Sequence, residues 1–368
     1  MKKLSATIAQ LAAMHPMSAA SAKEPQGRLK DLAGFGSNPG ALRAKAHVPK
    51  NIRGHPALVV VLHGCTQTAA GYDRGSGWSQ LADEHGFALL FPEQQRGNNP
   101  NLCFNWFSPA DAARDRGEAL SIRQMIATMV ETYDIDASRI FVTGLSAGGA
   151  MASILLATYP EVFAGGAIIA GLPYGAASNV SQALEAMRGA GRHSGAELGD
   201  RVRRAVGHSG PWPSISIWHG TADATVSDIN ADAILAQWLS VHGLDGRPST
   251  TAMVGSHPHR RWMDKAGRTV IEDYRITGMG HGTPLATTGR DACGTVMPHM
   301  LEVGISSTRR MAATWKLLDG SSSDATSTLP AEKTAQLERL PSAEPAPAAK
   351  TDVEKIIEDA LRAAGLMR

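Results

Sequence analysis

Six uninterrupted apolar residues, Ala57-Leu58-Val59-Val60-Val61-Leu62, stop at His63-Gly64, and this run limits the available folds more than any other segment. A strand with one wet face alternates apolar and polar residues. A run without alternation fits a strand buried on both faces. Burial on both faces needs helices on both sides of a sheet, and helical crossovers join strands that run parallel. Further strands are expected at Phe87 to Phe91 (stopped by Pro92), Ile140 to Thr143, Gly166 to Ala170, Ser214 to Trp218 and Thr269 to Ile276. Helical stretches fall between them: Trp78 to His85, the stripe Ile122, Met125, Ile126, Met129 and Val130, a small-residue segment after Ser146, Asp228 to Val241, and Ser306 to Leu318. The fold class is α/β, with a mostly parallel central sheet and helices on both faces.

The strand at 140–143 leads into Gly144-Leu145-Ser146-Ala147-Gly148, a G-x-S-x-G set between an expected strand and an expected helix. A sharp strand-to-helix turn leaves little room for side chains, hence the glycines, and it lifts a serine hydroxyl clear of the sheet edge. The plainer alternative is a glycine-rich packing turn with Ser146 only capping the helix. A serine attacks efficiently only when a base takes its proton. After such an elbow, acid and base follow in that order at later strand ends. Strand 214–218 runs into His219-Gly220-Thr221-Ala222-Asp223, which carries a carboxylate to the edge, whereas the rival Asp228 reads as the N-cap of the next helix. His281, in Gly278-Met279-Gly280-His281-Gly282, follows strand 269–276, and its rivals His257, His259 and His299 do not follow a strand in this way. Ser146, Asp223 and His281 are therefore the candidate nucleophile, acid and base. The oxyanion of an acyl-transfer intermediate would be met by the backbone N–H of Ala147 and by that of Cys65, in the loop His63-Gly64-Cys65-Thr66-Gln67. As a thiol nucleophile Cys65 lacks an elbow, and His63 reads as a loop-shaping residue rather than a second base.

Leu62-His63-Gly64-Cys65-Thr66-Gln67, Cys103-Phe104-Asn105-Trp106-Phe107 and Gly144-Leu145-Ser146-Ala147-Gly148-Gly149 together resemble the catalytic domain of the polyhydroxybutyrate depolymerases, relatives of the feruloyl and acetylxylan esterases. The resemblance covers about residues 28–318. It implies an α/β-hydrolase fold and hydrolysis of short-chain polyhydroxyalkanoate esters or oligomers, without metal or cofactor. It also implies Trp106 as a wall of the substrate site, although a core aromatic would look the same in sequence. Two other readings stand beside it: a feruloyl or acetyl esterase acting on carbohydrate esters, and a non-catalytic protein of polyester granules.

A net charge of +2 with no long basic run argues against a nucleic-acid or anionic-membrane partner, and no apolar stretch approaches the roughly 20 residues that span a bilayer. Residues 1–27 begin with Lys2-Lys3 and contain Ala20-Ser21-Ala22, as an export signal would, but Ser5, Thr7, Gln10 and His15 break the apolar region. Leu4, Ile8 and Leu11 share a helical face, so a retained amphipathic segment and a cytoplasmic location are expected, with secretion the alternative. After the catalytic domain at 28–319, residues 320–350 have the Ser, Ala, Pro and Thr content of a flexible linker. Residues 351–368 open on a capping box, Thr351 with Glu354, and carry a short apolar stripe. So short a helix needs a partner surface: the catalytic domain, a second copy for self-association, or a granule. The three cysteines, Cys65, Cys103 and Cys293, allow one bridge at most; Cys65 and Cys103, both placed around the expected site, could bridge under oxidising conditions, whereas a cytoplasmic enzyme would keep them as thiols.

Overall fold

The computed structural model describes residues 27–318 except 51, 53 and 192. The expected N-terminal segment (but for Gly27), the linker at 320–350 and the helix at 351–368 lie outside the described residues. In chain order the elements are β1 (Lys30–Asp31), β2 (Arg43–His47), β3 (Leu58–Leu62), α1 (Ala69–Ser76), α2 (Trp78–His85), β4 (Ala88–Glu93), α3 (Gly117–Tyr133), β5 (Ile140–Leu145), α4 (Ala147–Thr158) and β6 (Gly165–Ile169). There follow α5 (Val180–Met187), α6 (Gly195–Ala205), β7 (Ser214–Gly220), α7 (Ile229–His242), β8 (Thr250–Val254), β9 (His257–Met263), β10 (Thr269–Ile276), β11 (Thr283–Leu285), β12 (Met300–Glu302) and α8 (Ser307–Thr314).

Ten strands form one sheet in the order β1-β2-β4-β3-β5-β6-β7-β10-β9-β8. The six central strands, β4 to β10 in that order, are mutually parallel, and antiparallel pairs finish both edges. The run that opens at Ala57 becomes β3, buried along its whole length. Its alternate side chains separate the two cores. Leu58, Val60 and Leu62 join Met125, Met151 and Trp238 on one face, while Val59 and Val61 join Trp78, Leu81 and Trp315 on the other. Each such side chain contributes about 1.5–3 kcal/mol on burial, so this one strand anchors both layers.

Several boundaries differ from expectation. Pro92 does not stop β4, because it lies past the last register pair with β3, Val60↔Leu90, and so interrupts no rung of the parallel ladder. The last helix is shorter than 306–318: Ser306 caps α8, and Lys316 turns out of it at φ 55°. It needs only enough length to deliver Met311 and Trp315 to the core, where Trp315 stacks on Phe141 at 4.8 Å. The edge strands β1, β2, β8 and β9 and the helices α1, α5 and α6 carry no long apolar run, being polar or exposed along much of their length.

Candidate functional site

One cross-strand row, Leu145↔Ile169↔Trp218↔Tyr274, sits near the carboxyl ends of β5, β6, β7 and β10. Ser146 follows that row at once, Asp223 five residues later and His281 seven residues later, so all three leave the sheet at the same edge. The turn at Ser146 is tight. Its φ of 57° and ψ of −118° lie where a residue with a Cβ is strained, at a cost of about 1–3 kcal/mol. The strain is held by two backbone bonds, from Ser146 N–H to Ile169 O at 2.9 Å and from Ala150 N–H to Ser146 O at 2.8 Å. A Cβ on Gly148 would run into the carbonyls of Leu62 and His63, and one on Gly144 into the Gly148 peptide. The glycines thus let the first turn of α4 lie directly against β5 and the end of β3.

The acid and base loops are fastened main chain to main chain: Thr221 N–H to Ile276 O and Ala222 N–H to Met279 O, each 3.0 Å. Gly220 has no room for a Cβ, which would meet the Met279 carbonyl. His281 Nδ1 donates to Asp223 Oδ2 at 2.7 Å, and the N–H groups of Thr225 and Val226 donate to Oδ1, each at 2.9 Å. Burial works to raise the Asp223 carboxyl, but His219 and His281 outweigh it and hold the group well below the usual carboxylate range. His219 was not singled out by the sequence. It is wholly buried, gives Nε2–H to Val226 O at 2.8 Å and stands 3.4 Å from Asp223 Oδ2, and its place directly before Gly220 was the available signal. Among the described residues Ser146 Oγ and His281 Nε2 make no hydrogen bond, to each other or to any other group, and His281 is held through Nδ1 alone.

The rivals are placed differently. Asp228 stands at the N-cap of α7, yet its side chain makes no capping bond. His257 uses both ring nitrogens, giving Nε2–H to Val303 O and accepting from Thr277 N–H. His259 stacks on Tyr274 at 3.9 Å beside Glu272. His299 comes nearest, donating from Nδ1 to His281 O at 3.2 Å.

Ala147 is the first residue of α4, so its N–H has no intrahelical acceptor, and the N–H of Cys65 likewise has no protein acceptor among the described residues. The contacts of Gly148 with Leu62 and His63 bring these two segments together. Cys65 is joined to Cys103 by a disulfide, and Cys293 is a buried free thiol.

Residues 47–255 match the family described as Esterase PHB depolymerase. The chain belongs to this esterase family. Poly(3-hydroxyalkanoate) depolymerase C of Paucimonas lemoignei is 46% identical over 281 residues, 76% of the present esterase and 68% of that protein. An acetylxylan esterase of Coprinopsis cinerea is 35% identical, covering 72% of the esterase and 71% of its relative. The solved acetyl xylan esterase from Aspergillus awamori superposes with a TM-score of 0.65 at 27% identity, over 69% of the esterase and 94% of that structure. The α/β-hydrolase fold and hydrolysis of esters follow for the esterase described here.

Trp106 is only 8% exposed, makes a T-shaped contact with Phe107 and belongs to the same core as residues of α3 and α4, so little of it is open to a ligand. A partly buried polar cluster behind the Cys65 loop, made by His63, Gln94, Asn99, Asn105 and Glu118, has no signature in the sequence. Asn105 lies in the Cys103–Phe107 segment, but the cluster joins residues up to 55 positions apart, and no spacing rule finds it.

Proposed function

We propose that the chain cleaves short-chain polyhydroxyalkanoate esters or oligomers through an acyl-enzyme on Ser146, with residues 28–319 as its catalytic unit. The carrying observation is the 2.7 Å contact between Asp223 and His281 at the same sheet edge as the strained Ser146. Ser146 Oγ attacks the ester carbonyl while His281 Nε2 takes its proton, and Asp223 holds the ring in the accepting tautomer and stabilises the imidazolium. The N–H groups of Cys65 and Ala147 meet the oxyanion. His281 then returns the proton to the departing alcohol, and water releases the acyl group by the same steps. Trp106 would border the acyl chain through the small part of it that is exposed. The higher identity to the polyhydroxyalkanoate depolymerase, 46% against 35% for the acetylxylan esterase, favours the polyester over carbohydrate esters.

The Cys65–Cys103 disulfide favours an oxidising compartment and weighs against the cytoplasmic location expected from the N-terminus. No helix among the described residues is long and apolar enough to cross a membrane. Product analysis with amorphous polyhydroxybutyrate, hydroxybutyrate oligomers, p-nitrophenyl butyrate and methyl ferulate tests the substrate: oligomer turnover should exceed ferulate turnover, and the reverse order overturns the polyester reading. Ser146→Ala should lose fluorophosphonate labelling and about 10⁶-fold in turnover, and retention of a tenth of wild-type turnover would refute the serine mechanism.

A further inference from the structure

We infer that His63, Gln94 and Glu118 are positioning residues that aim the Cys65 N–H at the oxyanion. This rests on the oxyanion role of that N–H proposed above. Gly64 C=O and Cys65 N–H belong to one planar peptide group and point in opposite directions, so holding the carbonyl fixes the donor. The Gly64 carbonyl is held twice, by His63 Nδ1 at 2.8 Å and by Gln67 N–H at 3.3 Å. The other ring nitrogen of His63, Nε2, accepts from Gln94 N–H at 3.1 Å. That contact sets the tautomer: Nε2 carries the lone pair and Nδ1 the proton. Burial of the ring, packed on Phe104, lowers its basicity and keeps it neutral, as two N–H groups could not face each other.

Gln94 is anchored in turn. Its side-chain amide donates to Glu118 Oε1 at 2.6 Å and to Cys103 O at 3.0 Å, while its Oε1 accepts from Gln95 N–H and Asn98 Nδ2. Glu118, fully buried in the first turn of α3, also accepts from Asn105 N–H and Asn105 Nδ2, each at 2.8 Å, and from Asn98 Nδ2 at 3.2 Å. No cation pairs with it among the described residues, and burial pushes its carboxyl up to about 8 against those bonds. Such a group is costly where stability alone is at stake, since apolar replacements of similar shape are often neutral or better. Its bonds instead converge, through Gln94 and His63, on the peptide that carries the Cys65 N–H.

The test uses His63→Asn, His63→Gln and Glu118→Gln in the full chain. An Asn amide places its nitrogen near the position of Nδ1, whereas a Gln amide places it near Nε2. On p-nitrophenyl butyrate, His63→Gln should lose about 10²-fold in kcat with KM changed less than about threefold, and Glu118→Gln about tenfold in kcat. His63→Asn should recover to within about tenfold of wild type, a rescue that a purely structural role does not give. Affinity for an alkylboronic acid, which mimics the tetrahedral state, should fall in step with kcat/KM across the series. Folding is followed by near-ultraviolet circular dichroism. Losses confined to KM, or a folded His63→Gln within about twofold of wild type in kcat, would overturn the inference. Should the His63 variants fail to fold, a folded Glu118→Gln with unchanged kcat and boronate affinity overturns it equally. A wild-type enzyme that takes no fluorophosphonate label defeats the serine reading itself, whereas a labelled, active enzyme with a flat series defeats only the relay.

Discussion

Replacing Asp223 by Asn separates geometry from proton placement. The Asn side chain has two orientations. Keeping Oδ1 on the N–H groups of Thr225 and Val226 turns Nδ2 toward His281, while the reverse sets an NH2 against both backbone donors. Leaving two buried N–H groups unmet costs about 1–3 kcal/mol each, so the first orientation wins. His281 must then accept at Nδ1 and carry its proton on Nε2, where it faces Ser146 with a donor instead of an acceptor. A wrong tautomer of this kind lowers kcat by about 10⁴ in a serine triad, or about 5.5 kcal/mol. The fold should survive, because the two backbone bonds remain. The assay is single-turnover release of p-nitrophenol from p-nitrophenyl butyrate, with thermal unfolding of each variant. The pH dependence gives a second reading. Asp223 is depressed in the folded chain, so its contribution to stability is present above the unfolded carboxylate range and is lost as pH falls through the folded value. Asp223→Asn should therefore flatten the acid limb of stability below about pH 4. A folded Asp223→Asn enzyme within about tenfold of wild type in kcat would refute the assigned acid.

Three further outcomes are expected. Gly148→Ala sets a Cβ against two backbone carbonyls, which yield less easily than side chains, so Tm should fall by several degrees and kcat by at least about tenfold; unchanged values would deny the close approach of α4 to β3. Alkylation followed by intact mass should modify no cysteine in the native protein, Cys293 alone after unfolding without reductant, and all three cysteines with reductant. The Cys293 thiol resists because burial pushes it up to about 12, and reducing the bridge, whose ends are 38 residues apart, should cost about 4 kcal/mol by chain entropy. Deleting residues 320–368 should leave soluble-ester turnover intact; a selective loss of sedimentation with amorphous polyester particles would mark the tail as a granule anchor, and unchanged sedimentation would reject that role.

Much of the parallel centre of the sheet was legible because strands buried on both faces are written as runs of apolar and small residues, as at 58–62 and 140–145. The elbow was legible because Gly144 and Gly148 are dictated by local sterics. Asp223 and His281 could be picked from many carboxylates and 13 histidines only because strand ends mark where a loop reaches the edge. β9 escaped notice because its polar residues find partners across strands, as Arg260 does with Asp273, and its buried positions include two histidines. Glu118 and His219 escaped because their meaning lies in partners brought by the fold, not in neighbours along the chain.

The rungs joining the acid and base loops, Thr221 to Ile276 and Ala222 to Met279, involve only main-chain atoms. Side chains at the exposed positions Ala222 and Ala224 are therefore free of the task of holding Asp223 and His281 together. Natural variation or a randomised library can change these two side chains while the Asp223–His281 contact keeps its alignment. Tolerance to diversification is built into the backbone of these two loops.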